Sequence, residues 1–173
     1  MKRTLAPVGL LVVLLAVGCE MPPYGTVDAL GLEGYWQFDG NGYDSSIQER
    51  RLTLMGSPSF QTGLFDEAVV FEGDSSKYAY DSRSNTAFDV GDNNFTIQVW
   101  VSFTDLDLEQ VLIEKWTQTP AVAGFTLTKL AGNVLRFAYA TSGGEQGVDS
   151  PALTLTTGSW HQFVVRRDGS TLE

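Results

Sequence analysis

The strongest constraint on this chain is a nine-residue alternation near its middle. Phe95, Ile97, Val99, Val101 and Phe103 take every second position, with Thr96, Gln98, Trp100 and Ser102 between them. Successive side chains of a strand point to opposite faces, so this run predicts a β-strand with one wholly apolar face. Shorter stretches repeat the period: Leu135, Phe137 and Tyr139, then Leu153 and Leu155, then Phe163 and Val165. Further strands are expected over residues 34–39, 52–55, 68–72, 77–81, 110–116 and 124–130. Turn-forming groups separate them, among them Gly40-Asn41-Gly42, Gly56-Ser57-Pro58, Gly73-Asp74-Ser75-Ser76, Ala131-Gly132-Asn133 and Asp168-Gly169. Residues 83–92 are polar and irregular and read as a loop. No amphipathic helix is expected from Leu32 onward. Many short strands punctuated by turns predict an all-β sandwich or barrel.

The N-terminus has a different character. Lys2 and Arg3 precede an apolar run over residues 5–17, interrupted only by Pro7 and Gly9. Thirteen residues fall short of the roughly 20 that a membrane-spanning helix needs, and suit the core of a signal peptide. The run ends in Leu15-Ala16-Val17-Gly18-Cys19, which resembles a bacterial lipobox. That resemblance implies a signal peptide over 1–18 and a lipidated Cys19 as the mature N-terminus, with a membrane anchor made of acyl chains. The expected location is the bacterial cell envelope, at the outer membrane or cell surface. Cys19 is the single cysteine of the 173-residue chain, so an intrachain disulfide or a cysteine zinc site is excluded. Met21-Pro22-Pro23-Tyr24-Gly25 follows it, and residues 19–31 read as a flexible tether. The domain proper is expected over 32–173.

A net charge of −10, made more acidic still by loss of Lys2 and Arg3, repels phosphate backbones and argues against a nucleic-acid partner. It is compatible with neutral glycans, envelope proteins and cations. His161 is the only histidine, which leaves no pair for a His-His metal site and little for a serine triad.

The order of motifs along 32–173 resembles laminin-G-like, concanavalin A-like domains. Tyr35-Trp36-Gln37-Phe38-Asp39-Gly40 with Asp44-Ser45-Ser46 is similar to their opening. Ala68-Val69-Val70-Phe71-Glu72-Gly73-Asp74 with Tyr78 is similar to their second block, and Phe95-Thr96-Ile97-Gln98-Val99-Trp100-Val101 to their central strand. Gly158-Ser159-Trp160-His161-Gln162-Phe163 with Asp168-Gly169 is similar to a late strand and hairpin. The resemblance implies a two-sheet antiparallel jelly roll, a glycan- or protein-binding role, and a structural Ca²⁺ held through the loops of Asp39, Asp44 and Asp74. Such domains continue past the point reached at Ser170-Thr171-Leu172-Glu173. A late strand normally lies beside the first one, so the strand at 35–39 is expected to have an open edge.

Several side chains are candidates for function. Trp100, Trp116, Tyr78 and Tyr80 are expected to contact a ligand, with Tyr43 nearby; Trp36 and Trp160 read more readily as core. Acids in turns such as Asp39, Asp44 and Asp74 also have an ordinary structural use, capping the turn itself. Asp105-Leu106-Asp107-Leu108-Glu109 looks like the E-x-D-x-E strand of glucanases, with Asp105 in place of the nucleophilic Glu. It implies a glycan-cleaving alternative with Asp107 and Glu109 as the acting carboxylates, but the stretch falls between two expected strands, in a loop. His161 reads as a structural partner near a sheet edge. The favoured expectation is a surface-tethered, non-catalytic binding module.

Overall fold

A computed structural model describes residues 8–16, 31–73, 75–83, 86–115, 124–141 and 143–173; of 8–16 it describes the backbone alone. The described residues are all-β, with no helix among them, and every paired strand is antiparallel. The strands are β1 Val8–Ala16, β2 Leu32–Trp36, β3 Thr53–Met55, β4 Ser59–Thr62, β5 Glu67–Val70, β6 Tyr78–Tyr80, β7 Phe95–Phe103, β8 Gln110–Lys115, β9 Phe125–Lys129, β10 Leu135–Thr141, β11 Gly144–Asp149, β12 Trp160–Asp168 and β13 Thr171–Leu172. They form a seven-stranded sheet in the order β13-β12-β7-β1-β5-β4 with β2 also paired to β1, a four-stranded sheet β11-β10-β9-β8, and a two-stranded ribbon β3-β6.

The nine-residue alternation forms a strand over its full length. Ile97, Val99, Val101 and Phe103 are wholly buried, and Phe163 and Val165 join that face because the β7–β12 register sets Phe163 against Val99 and Val165 against Ile97. The smaller sheet supplies the opposite wall with Phe125, Leu127, Phe137 and Tyr139. Phe95 reaches across to Phe137 and Tyr139, with ring centroids 5.5 and 6.4 Å apart. Two sheets therefore share one core, compatible with a β-sandwich.

Trp36, at the end of β2, belongs to this core. Its indole N–H donates to Arg50 O at 2.7 Å and its ring meets Phe88 at 5.9 Å. Expectation and structure part at four places. The first block ends early, since Phe38 turns to a φ of +55° to bury its ring and strand geometry stops at Trp36. Leu153 and Leu155 alternate as expected yet form no strand; the Leu153 N–H donates to Asn133 O at 2.9 Å, in the turn that leads into β10. The two leucines instead lean on the core. Strands β4 and β11 carry weak or no apolar period, and β11 is exposed throughout; its register is set by the hairpin from β10. Finally, the apolar N-terminal run, expected to lie outside the domain, contributes β1, a strand inside the larger sheet.

Candidate functional site: a tyrosine-bearing ribbon

Residues 51–55 and 78–80 alternate, and the ribbon sorts them by face. Leu52, Leu54 and Ala79 pack against the core. Thr53, Met55, Tyr78 and Tyr80 point the other way, because β3 and β6 pair Thr53 with Tyr80 and Met55 with Tyr78. Tyr78 is 44% exposed, Tyr80 39% and Met55 38%. The two phenol rings lie 5.7 Å apart and tilted by 51°. Arg51 extends the row by one more alternation, and its guanidinium stands 4.3 Å from the ring centroid of Tyr43, a cation–π contact that holds both side chains out at the surface. Tyr43 is itself placed by its backbone N–H, which donates to Asn41 Oδ1 at 2.8 Å. Tyr43, Arg51, Thr53, Met55, Tyr78 and Tyr80 thus lie along one outward face.

Tyr78, Tyr80 and Tyr43 are evident from the sequence as aromatics beside polar loops. Arg51, Thr53 and Met55 are not, although their i, i+2, i+4 spacing was a usable signal once the partner strand was known. The face combines ring surfaces, phenol hydroxyls and one cation, which suits contact with hydroxyl-rich or amphipathic surfaces. None of these six side chains is a carboxylate.

The other candidates fall elsewhere. Trp100 is half-buried on the larger sheet. With Trp160, Gln37, Leu64, Phe65, Glu67 and Ala68 it lines a depression of about 20 Å³, room for about one water molecule and too small for a sugar ring. It is packed against the core cluster. Trp116, Asp74 and Cys19 lie outside the described residues. A cleft of about 350 Å³ runs between Glu33, Phe88, Asp89, Asn93, Asn94 and Thr96. Its acids are engaged, Glu33 with Arg50 at 3.0 Å and Asp89 with Lys115, whose pKa burial lowers.

Asp44 organises the loop after β2. Its Oδ1 accepts from the N–H groups of Tyr35 and Ser46, and its Oδ2 from Ser46 Oγ and Arg50 N–H, all at 2.8 Å. Four donors use the about four lone-pair sites a carboxylate has, so Asp44 does not fit a calcium ligand without giving some of them up. Asp39 is exposed, and its backbone carbonyl accepts from Asn41 Nδ2. Among the described residues no group of three or more His, Cys, Asp or Glu side chains is placed to hold a metal.

The acidic stretch at 105–109 is a loop between β7 and β8. Asp107 and Glu109 are exposed, and the Asp107 N–H donates to Asp105 Oδ1 at 2.8 Å in a local turn. The shared strand face that paired carboxylates would need is not formed. Underneath sits Lys129, wholly buried, whose ammonium donates to the carbonyls of Leu106 and of Leu108, the latter at 3.1 Å. Burial lowers its pKa, and the nearby charges of Asp105 and Asp107 oppose that shift. Gln110, also buried, donates to Asp105 O at 2.6 Å. These residues anchor the loop from below. His161 stacks on Phe163 with rings 6.4 Å apart and 10° from parallel, and its Nε2 lies 3.2 Å from both the N–H and the carbonyl of Thr156; it is a structural partner at the sheet margin.

No family model, curated protein or solved structure matches this chain.

Proposed function

We propose that the chain is a surface-tethered, non-catalytic recognition module: exported, lipidated at Cys19, and presenting a jelly-roll domain of the concanavalin A-like kind to a neutral glycan. The observation that carries the binding role is the ribbon, where Tyr43, Tyr78 and Tyr80 stand exposed on one face with Arg51 and Met55. A core has no use for aromatics held outward, and tyrosine gives large contact area for only two side-chain torsions. The 51° tilt between Tyr78 and Tyr80 would set them against successive sugar rings of a chain. Met55 and Arg51 favour a second reading, an envelope protein as ligand, since both types are enriched at protein interfaces. The anchor at Cys19 would place the domain at the bacterial envelope, on the side away from the cytoplasm.

The test is binding of the intact protein to a glycan array, repeated with Tyr78→Ala/Tyr80→Ala. Loss of a glycan signal by about tenfold or more in the variant, with an unchanged melting temperature, supports the glycan reading; tenfold corresponds to about 1.4 kcal/mol. Silence on every glycan together with capture of an envelope protein that the variant no longer captures supports the second. Binding that the double variant leaves intact removes the ribbon from the site. Labelling with a radioactive fatty acid, lost in Cys19→Ala, tests the anchor separately.

A further inference from the structure

The larger sheet depends on one strand for its continuity. On one edge β1 pairs with β7 from Val8↔Phe103 to Ala16↔Thr96. On its other edge it carries two strands in succession, β5 at Gly9↔Val70 and Leu10↔Val69, then β2 from Val13↔Trp36 to Ala16↔Leu32. Among the described residues no ladder joins β7 directly to β2 or β5. Without β1 the sheet divides into β13-β12-β7 and β5-β4, and β2 has no ladder at all. Both facing edges would then present backbone N–H and C=O groups with no partner beside the core.

The register makes the position specific. Val8, Leu10, Val13 and Leu15 stand opposite Phe103, Val101, Val99 and Ile97, the row of β7 that faces the core. The segment Val8–Ala16 consists of Val, Gly, Leu and Ala alone and bears no charge. The register shifts between Leu10 and Val13, at the junction where the partner changes from β5 to β2.

We infer that the space between β7 on one side and β2 and β5 on the other is a strand-acceptor slot for an extended, uncharged aliphatic segment of about nine residues, filled in cis by Val8–Ala16 and, once that segment is cleaved away, by a strand of the same chemistry from another polypeptide. An incoming strand would pair on both of its edges, a stronger arrangement than addition to a single exposed edge. The vacated state rests on the proposed cleavage before Cys19; the slot itself rests on the topology alone. Processing and assembly would then be coupled, because removing the leader both frees the lipidated cysteine and opens the domain to its partner.

The experiment uses the full chain with Cys19→Ala, to block lipidation, and a site-specific protease sequence inserted between Pro23 and Tyr24. After cutting, the leader fragment is expected to co-elute with the domain on gel filtration. A labelled synthetic Val8–Ala16 peptide, given terminal lysines for solubility, should exchange for it. The same peptide with proline at the Leu10 and Val13 positions should bind at least about tenfold more weakly, because proline removes ladder donors. If cutting releases the fragment and the domain precipitates, the unmodified peptide present during cutting should keep the domain soluble and the proline peptide should not. Release of the fragment with no change in melting temperature overturns the inference, as does equal binding or equal rescue by both peptides. The mass of the N-terminus in membranes of an expressing cell reports cleavage at Cys19 on its own, so failure of the lipoprotein reading and failure of the slot give different results.

Discussion

The two sheets that share the core are built in opposite ways. In the four-stranded sheet, β8, β9, β10 and β11 are neighbours in both sequence and space. The turn at Ala131-Gly132-Asn133 brings β9 and β10 together, with Gly132 and Asn133 both at positive φ. The seven-stranded sheet collects segments from residue 8 to residue 172, and its strand beside β7 on one edge comes from the far N-terminus. A locally connected sheet is specified by turn chemistry, and each pairing costs little loop closure. A sheet assembled from distant segments is held by the shared core and by whatever fills each position. Damage to the core should therefore reach both sheets, while damage to a local turn or edge pair should stay local.

The largest effect is expected from Phe137→Ala. Phe137 lies against Phe95, Phe125 and Tyr139 at 5.5, 5.8 and 5.7 Å, so its loss empties the junction between the sheets at a cost of about 3–5 kcal/mol. Urea unfolding should show one transition, moved to lower denaturant. Two separated transitions would mean that the sheets fold independently of each other.

Asp44→Ala comes next. It strips the acceptor from the N–H groups of Tyr35, Ser46 and Arg50 beside β2, and should cost about 2–3 kcal/mol because half-buried donors lose their partner. In the unmodified protein EDTA should leave the melting temperature unchanged, since Asp44 is already saturated. A fall of several degrees in EDTA would show that a cation holds this loop after all.

Gly34→Ala sharpens the point at β2 itself. A Cβ at Gly34 would fall inside the van der Waals surface of the Trp36 ring, and the displaced indole should cost about 1–3 kcal/mol as overpacking. Hydrogen exchange should quicken in β2 more than in β8–β11. Equal quickening in both sheets would show that β2 is coupled to the whole core.

The smallest effect is expected at the edge of the local sheet. Arg136 and Asp149 face each other across β10 and β11, with nitrogen–oxygen distances of 2.8 and 2.6 Å. Hydrogen bonds from Arg136 hold the Asp149 carboxyl below its ordinary pKa. The sign follows: the pair stabilises the fold above the ordinary aspartate pKa, and that contribution is lost as pH falls through the lowered folded-state value. Both groups are at the surface, so salt should weaken the effect. Asp149→Asn should therefore differ little from the parent at neutral pH and not at all in strong acid; a difference that grows on acidification would contradict this.

Legibility in the sequence followed the same division. The alternation at 95–103 and the turn residues at 131–133 and 168–169 announced β7 and two hairpins, because period and positive-φ residues are local properties. β11 was not legible: its six residues are all exposed, so no apolar period marks them, and the pairing comes from β10. Of the ribbon, the tyrosines were visible and their alignment with Arg51 and Met55 was not, since that needed the β3–β6 register. The aspartates at 39, 44 and 74 look alike on paper; geometry gave Asp44 a set of internal donors and left Asp39 at the surface.

That the chain forms strands, where most of them turn, and that one cysteine follows an apolar run are all legible in the residue order. Those properties depend on residues a few positions apart. Which strands are neighbours, which aromatics face outward, and that an aliphatic N-terminal segment stands between β7 and β2 emerge only once the sheets close on each other. Strand pairing joins residues far apart in the chain, and backbone hydrogen bonds are much the same for any side chain, so the choice of partner is made by the core that all the strands close together.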